Sequence, residues 1–243
     1  MQNCTVCTKK NLWTSTGKTE NGRRLWKCRN CGNEQWEEQP QGLKIPAKVL
    51  YFDLETALMK VTTFSTGRQW VNWKSVEQDT FVLCWGAAWM HKPKLKVVSK
   101  CVTPEQAQMA DDYDCLLPLW DMMDEADYIV GHNMRAFDWK MVNARFITHG
   151  WNAPRESKIV DTLLLSRRRY RMASHAMDAW VKKLGGEMKE DMRREDWEAC
   201  LKGDEKALKK MEHYCRGDIK RGVQIARAFQ NYYEQATGNL LFK

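Results

Sequence analysis

Four carboxylates in this chain stand where phosphodiester chemistry would need them. Asp53 and Glu55 lie in the run YFDLET, Asp138 closes GHNMRAFD, and Asp218 ends YCRGD, with Tyr214 four residues before it. Carboxylates gathered at one point repel each other unless cations stand between them, and hard oxygen donors select Mg²⁺ or Mn²⁺. A pair of such ions clamps the attacking and leaving oxygens of a phosphodiester. The expectation is therefore a metal-dependent nuclease.

Each acid must be delivered by an element. Residues 49–54 form a short apolar run of the kind found in buried strands. On that strand Asp53 and Glu55, two apart, leave the same face. Among 31 acidic residues an Asp-x-Glu pair is a weak signal alone, and a strand running into a solvated loop reads the same way. A second apolar strand, 128–131, leads into Asn133 and then Asp138, which opens the next helix. Complementing that helix dipole is the simpler role for Asp138. On a continuous helix Tyr214 and Asp218 are about 40° apart, whereas His213 stands about 140° from Asp218. Tyr214 is therefore the favoured partner, with a core aromatic as its simpler role.

The remaining text alternates strands and helices. Strands are expected over 80–90, 95–102 and 159–160. Helices are expected over 112–125, 135–149 and from 175 onward, the last spanning 204–233. Residues 57–78 are mixed and polar and take no assignment. Adjacent strands early, then strand–helix alternation, give an α/β layer fold with a mixed β-sheet flanked by helices.

The first 39 residues differ. Cys4-x2-Cys7 is followed by Cys28-x2-Cys31, the spacing of a four-cysteine zinc ribbon in which two tight loops complete a tetrahedron. An Asn21-Gly22 hairpin signal lies between the pairs. Two unrelated redox pairs are the alternative. Lys9, Lys10, Lys18, Arg23, Arg24, Lys27 and Arg29 interleave with Trp13, Trp26 and Trp36. That mixture suits single-stranded nucleic acid, a protein-docking module, or a solvated cap. Residues 40–47, rich in proline and glycine, are expected to link the ribbon (1–39) to a larger domain (48–243).

Composition sets the frame. The chain has 243 residues, 43% hydrophobic and 29% charged, with net charge +8, which suits a polyanionic partner. No apolar run reaches membrane-spanning length and no signal peptide opens the chain, so no membrane association is expected. Nine cysteines without an export signal read as metal ligands plus free thiols in a reducing, cytoplasmic setting. Cys84, Cys101, Cys115, Cys200 and Cys215 show no ligand spacing and read as packing residues. Asp161 reads as a helix N-cap. Arg167, Arg168, Arg169 and Arg171 form the densest basic cluster, equally readable as a phosphate site or a solvated loop.

Taken together, YFDLET, GHNMRAFD and YCRGD resemble the three motifs of the DEDD superfamily of 3′–5′ exonucleases, which has the ribonuclease H-like fold. Tyr214 resembles the tyrosine branch, found in the exonuclease domains of family B DNA polymerases and in free-standing relatives. The text IVDTL at 159–163, SHAMDA at 174–179 with the Lys183-Leu184-Gly185 that follows, and GDEKAL at 203–208 agrees with it. The likeness covers about residues 48–235. It departs in two places: His213 fits the histidine branch formally, and 57–78 is longer than a minimal core. No polymerase domain follows, so proofreading in cis is not expected. The resemblance implies two Mg²⁺ or Mn²⁺ ions held by Asp53, Glu55, Asp138 and Asp218. Tyr214 would orient the attacking water with help from Glu55, and Thr56 and Asn133 would touch the terminal nucleotide. It implies release of nucleoside 5′-monophosphates from single-stranded or frayed DNA 3′ ends, with one structural Zn²⁺ in the ribbon and replication or repair proteins as partners. A compact free-standing chain of this kind is similar to what a phage encodes, which would place it in a host cytoplasm. An exoribonuclease, and a nucleic-acid-binding module without activity, are the rival readings.

Overall fold

A computed structural model describes residues 6–8, 13–20, 23–36, 47–68, 70–188 and 191–237. The chain divides into two compact units, Met1–Pro46 and Ala47–Lys243. Cys4, the Asn21-Gly22 turn and residues 40–46 of the expected linker lie outside the described residues.

The first unit is a three-stranded antiparallel sheet of β1 (Trp13–Glu20), β2 (Arg23–Cys28) and β3 (Glu34–Trp36). Leu25 and Cys28 are its buried side chains among those described. A unit with so little apolar interior depends on a cross-link or a metal for stability.

The second unit is built on a five-stranded sheet. Its members, in chain order, are β4 (Val49–Thr56), β7 (Val82–Trp89), β8 (Val97–Cys101), β9 (Tyr128–Gly131) and β10 (Lys158–Asp161). Their spatial order is β10-β9-β4-β7-β8. The β10, β9 and β4 strands run parallel, while β7 pairs antiparallel to both β4 and β8. This is the mixed, helix-flanked sheet expected of a ribonuclease H-like chain. Between β4 and β7 lies a small two-stranded ladder of β5 (Lys60–Val61) and β6 (Val76–Gln78), in the stretch for which the sequence gives no assignment.

The helices are α1 (Pro104–Met109), α2 (Tyr113–Glu125), α3 (Asp138–Thr148), α4 (Thr162–Arg169), α5 (Met177–Lys183), α6 (Arg194–Leu201) and α7 (Glu205–Thr237). β4 is apolar throughout its first half because both its faces are covered. Leu50, Phe52 and Leu54 join a core with Leu116, Leu119 and Met123 of α2 and Val142 and Phe146 of α3. Val49 and Tyr51 pack on the other face with Ile219, Val223 and Ala226 of α7.

Two cysteines depart from the expectation of unpaired packing thiols. The antiparallel register sets Cys84 of β7 opposite Cys101 of β8, and the two are joined by a disulfide. The other buried thiols, Cys115, Cys200 and Cys215, are packing residues whose ionisation burial pushes up, for Cys200 to about 12. Asp112 is a buried acid with a structural role. Its carboxylate accepts from Arg145, His149 and the Val82 N–H, tying α3 to the edge of β7. Among the described residues no helix is long and apolar enough to cross a membrane.

Candidate active site

β4 carries Asp53 and Glu55 out on the face that α7 covers, as its alternation requires. α7 can lie close there because the residue opposite Asp53 on β7 is Gly86. A Cβ at Gly86 would stand 2.7 Å from Ile219 Cγ1 and 3.1 Å from Cys215 Sγ. One turn on, the Tyr51 ring fills the space that a side chain at Gly222 would need. These two glycines set the depth of α7 against the sheet, and Asp218 comes with it. Carboxylate oxygens of Asp53, Glu55 and Asp218 lie within 4.8 Å of one another.

Asp138 arrives from the opposite direction, as the first residue of α3. Its Oδ1 accepts the peptide N–H of Leu54 at 3.0 Å, which pins the helix start to β4 between Asp53 and Glu55. The loop leading to it is braced by Asp161, the N-cap of α4. Asp161 accepts from Asn133 N–H (3.1 Å) and Arg135 N–H (3.0 Å) as well as from Leu163 and Leu164 in its own helix. Asn133 is left-handed, with φ 66°, and its side chain is exposed in this loop. Thr56 ends β4, and its carbonyl accepts from Trp197 Nε1 at 3.2 Å.

Tyr214 is buried one turn before Asp218, its ring edge-on to Trp197 at 6.0 Å. His213 is exposed on the next face of α7. A cavity of about 340 Å³ is lined by Asp53, Glu55 and Asp218 together with Ala176, Met177 and Asp178 at the start of α5. A neighbouring cleft of about 310 Å³ is lined by Tyr214, His213, Arg216, Lys220, Arg221 and Glu187.

The acids are strongly desolvated: Asp138 is 3% exposed and Asp218 2%. Burial pushes the Asp138 carboxyl up to about 7, against the pull of two backbone N–H groups and with the Asp161 charge adding to the rise. Burial also raises the Tyr51 phenol, and the charges of Asp53, Asp138 and Asp218 raise it further. That hydroxyl is buried with no hydrogen-bond partner among the described residues. Negative charge thus accumulates at a point where water is scarce.

One countercharge was not foreseen. Arg221, also buried, donates to Asp218 Oδ1 from Nη2 at 2.5 Å and from Nε at 3.2 Å. Its i,i+3 spacing from Asp218 is the only sequence signal, and 39 lysines and arginines make that spacing commonplace. Asp178, within the SHAMDA run, lines the cavity as well, a placement its spacing did not indicate. The arginine cluster 167–169 falls in the last turn of α4 rather than in a loop, with Arg169 over the Tyr233 ring at 5.0 Å.

Both expected metal sites have suitable donors. Oxygens around one small divalent ion at about 2.1 Å lie roughly 3 to 4 Å apart, so the carboxylate cluster needs little adjustment to hold one. In the ribbon, Sγ atoms of Cys7, Cys28 and Cys31 lie within 4.8 Å of one another, with Cys7 and Cys28 3.7 Å apart. A zinc–sulfur tetrahedron with bonds of about 2.3 Å has edges of about 3.8 Å.

No family model and no curated protein matches the sequence. Among solved structures the chain is similar to the family B DNA polymerase from the hyperthermophilic archaeon Pyrobaculum calidifontis, with a TM-score of 0.57 and 15% sequence identity. The match covers 92% of this chain and 29% of the polymerase. At that identity the likeness speaks to fold alone.

Proposed function

We propose that this chain is a metal-dependent 3′–5′ exonuclease acting on single-stranded DNA or frayed 3′ ends. The observation that carries this reading is the approach of Asp53, Glu55 and Asp218 oxygens to within 4.8 Å beside the buried, β4-bound Asp138. Fold likeness to a DNA polymerase adds support for a nucleic-acid substrate, and it falls in the polymerase family whose exonuclease domains the motifs resemble.

In this reading Asp53, Glu55, Asp138 and Asp218 hold two Mg²⁺ or Mn²⁺ ions. When bound, the ions supply the positive charge that activates water and offsets charge growing on the phosphate. Tyr214 and Glu55 orient the water on the side away from the leaving 3′ oxygen. Hydrolysis joins the water oxygen to phosphorus and breaks the P–O3′ bond, releasing a nucleoside 5′-monophosphate. The shortened strand keeps a 3′-hydroxyl. Arg221 fixes the orientation of Asp218 through Oδ1. Thr56 and Asn133 meet the terminal nucleotide. In the domain 48–243 this chemistry is complete, while the ribbon 1–39 holds one Zn²⁺ through Cys4, Cys7, Cys28 and Cys31. Cytoplasmic replication or repair proteins are the partners such an enzyme would serve.

The test uses 5′-labelled single-stranded DNA and matching RNA with Mg²⁺, Mn²⁺ or a chelator. The reading expects a descending ladder on DNA that the chelator and Asp53→Ala abolish. It expects Tyr214→Phe to lose about a hundredfold or more in rate, with His213→Ala keeping most of it. A ladder on RNA alone would make the enzyme an exoribonuclease. Binding without cleavage under every metal condition would leave a nucleic-acid-binding module.

A further inference from the structure

The stretch between β4 and β7 is an arm rooted at the carboxylate strand. It leaves β4 directly after Thr56. Its root is clamped by Ala57 N–H donating to the Phe81 carbonyl (2.8 Å) and by the Thr80 hydroxyl donating to the Ala57 carbonyl (2.8 Å). Beyond the β5–β6 ladder, Thr62 N–H donates to the Ser75 carbonyl (2.9 Å), the Thr62 hydroxyl to Glu77, and Lys74 N–H to the Asn72 side chain (3.0 Å). The described residues of the arm are thus tied by backbone hydrogen bonds, yet their largest side chains face solvent. Phe64 is fully exposed, Trp70 is 99% exposed and Trp73 78%. Elsewhere in this unit such rings are mostly core-filling, because each carries a large apolar area. Exposed apolar patches rimmed by polar groups mark binding surfaces.

The charge around these rings is mostly positive. Residues 57–76, which carry them, contain Lys60, Arg68 and Lys74, while the arm's two carboxylates, Glu77 and Asp79, follow on its return, where Glu77 accepts from the Thr62 hydroxyl. Lys74 Nζ stands 5.9 Å from the Trp73 ring centre. Exposed aromatic faces interleaved with cations suit stacked bases joined by phosphates, and the stacking tolerates any sequence.

We infer that this arm is a stacking platform for the unpaired DNA strand whose 3′ end enters the carboxylate cavity, with Phe64, Trp70 and Trp73 receiving bases and Lys60, Arg68 and Lys74 meeting phosphates. The location of the 3′ end rests on the exonuclease reading; the binding itself does not.

The test is equilibrium binding of a fluorescein-labelled dT16 oligonucleotide to the full chain in chelator, where nothing is cut. Trp70→Ala/Trp73→Ala should bind at least tenfold more weakly than the wild type. The tryptophan quenching that dT16 causes in the wild type should largely disappear. Because the rings are exposed, the melting temperature and circular dichroism of the variant should match the wild type. Lys60→Ala/Arg68→Ala/Lys74→Ala should flatten the salt dependence of binding. Affinity within twofold of the wild type in the double variant overturns the inference, and then a protein-docking role fits the rings better. No binding of dT16 by the wild type overturns it as well. Tight, ring-dependent binding by a wild type that never cleaves leaves the platform standing and defeats the exonuclease reading alone.

Discussion

Arg221 is where one side chain decides most. A buried ion pair whose partner is removed leaves an uncompensated charge, at a cost of roughly 3–5 kcal/mol. Arg221→Leu should therefore lower the urea-denaturation stability of chelated protein by about that amount, and Mn²⁺ should restore more stability to this variant than to the wild type. Equal stability of variant and wild type in chelator would mean that the pair does not hold Asp218. Asp138 makes a second prediction. Its carboxyl, pushed up to about 7 by burial, titrates near 3.9 in the unfolded chain. Between those values the folded form holds a proton that the unfolded form has released. Metal-free stability should accordingly fall as pH rises from about 4 to 7 and level off above. Asp138→Asn, which mimics the neutral acid, should remove this part of the slope. The meeting of Asp53, Glu55 and Asp218 was legible in the sequence only from the three motifs taken as a set and their resemblance to the DEDD pattern, since each spacing alone is a weak signal. Arg221 was not legible, since its meaning comes from burial beside Asp218 and not from its spacing.

At the scale of elements, the approach of α7 to the sheet is the controlling feature. Gly86→Val would drive a branched side chain into Ile219 and Cys215. Overpacking of this kind costs roughly 1–3 kcal/mol, and here it should also separate Asp218 from Asp53. Activity should thus fall much further than the stability loss explains, which parallel melting and rate measurements will show. The strands were readable because buried strands are continuous apolar runs, as β4 and β9 are. α1 was missed although its capping box, Thr103 with Gln106, is present, because six residues are too few to display periodicity. α3 starts at Asp138 rather than Arg135 because Phe137 just before it is non-helical, with φ −124° and ψ −80°. The 57–78 arm resisted assignment because its aromatic residues face solvent, the reverse of the pattern by which strands are recognised.

For the molecule as a whole, the +8 charge suits a polyanionic partner and equally a solvated basic surface, without saying where a partner would lie. The sheet order, the α7 contact and the arm place the acidic cluster and the exposed rings in one unit, 47–243. The ribbon is a separate compact unit, and three of its cysteines stand at metal-binding separation. Elemental analysis of freshly reduced protein should find one zinc per chain, and none in Cys28→Ser; zinc-free wild type would contradict the ribbon assignment. The most direct test of the central claim is anomalous diffraction from crystals soaked in Mn²⁺ and a nucleoside 5′-monophosphate. The account predicts two manganese peaks contacted by Asp53, Glu55, Asp138 and Asp218. An absence of manganese at these carboxylates in well-ordered crystals would contradict it.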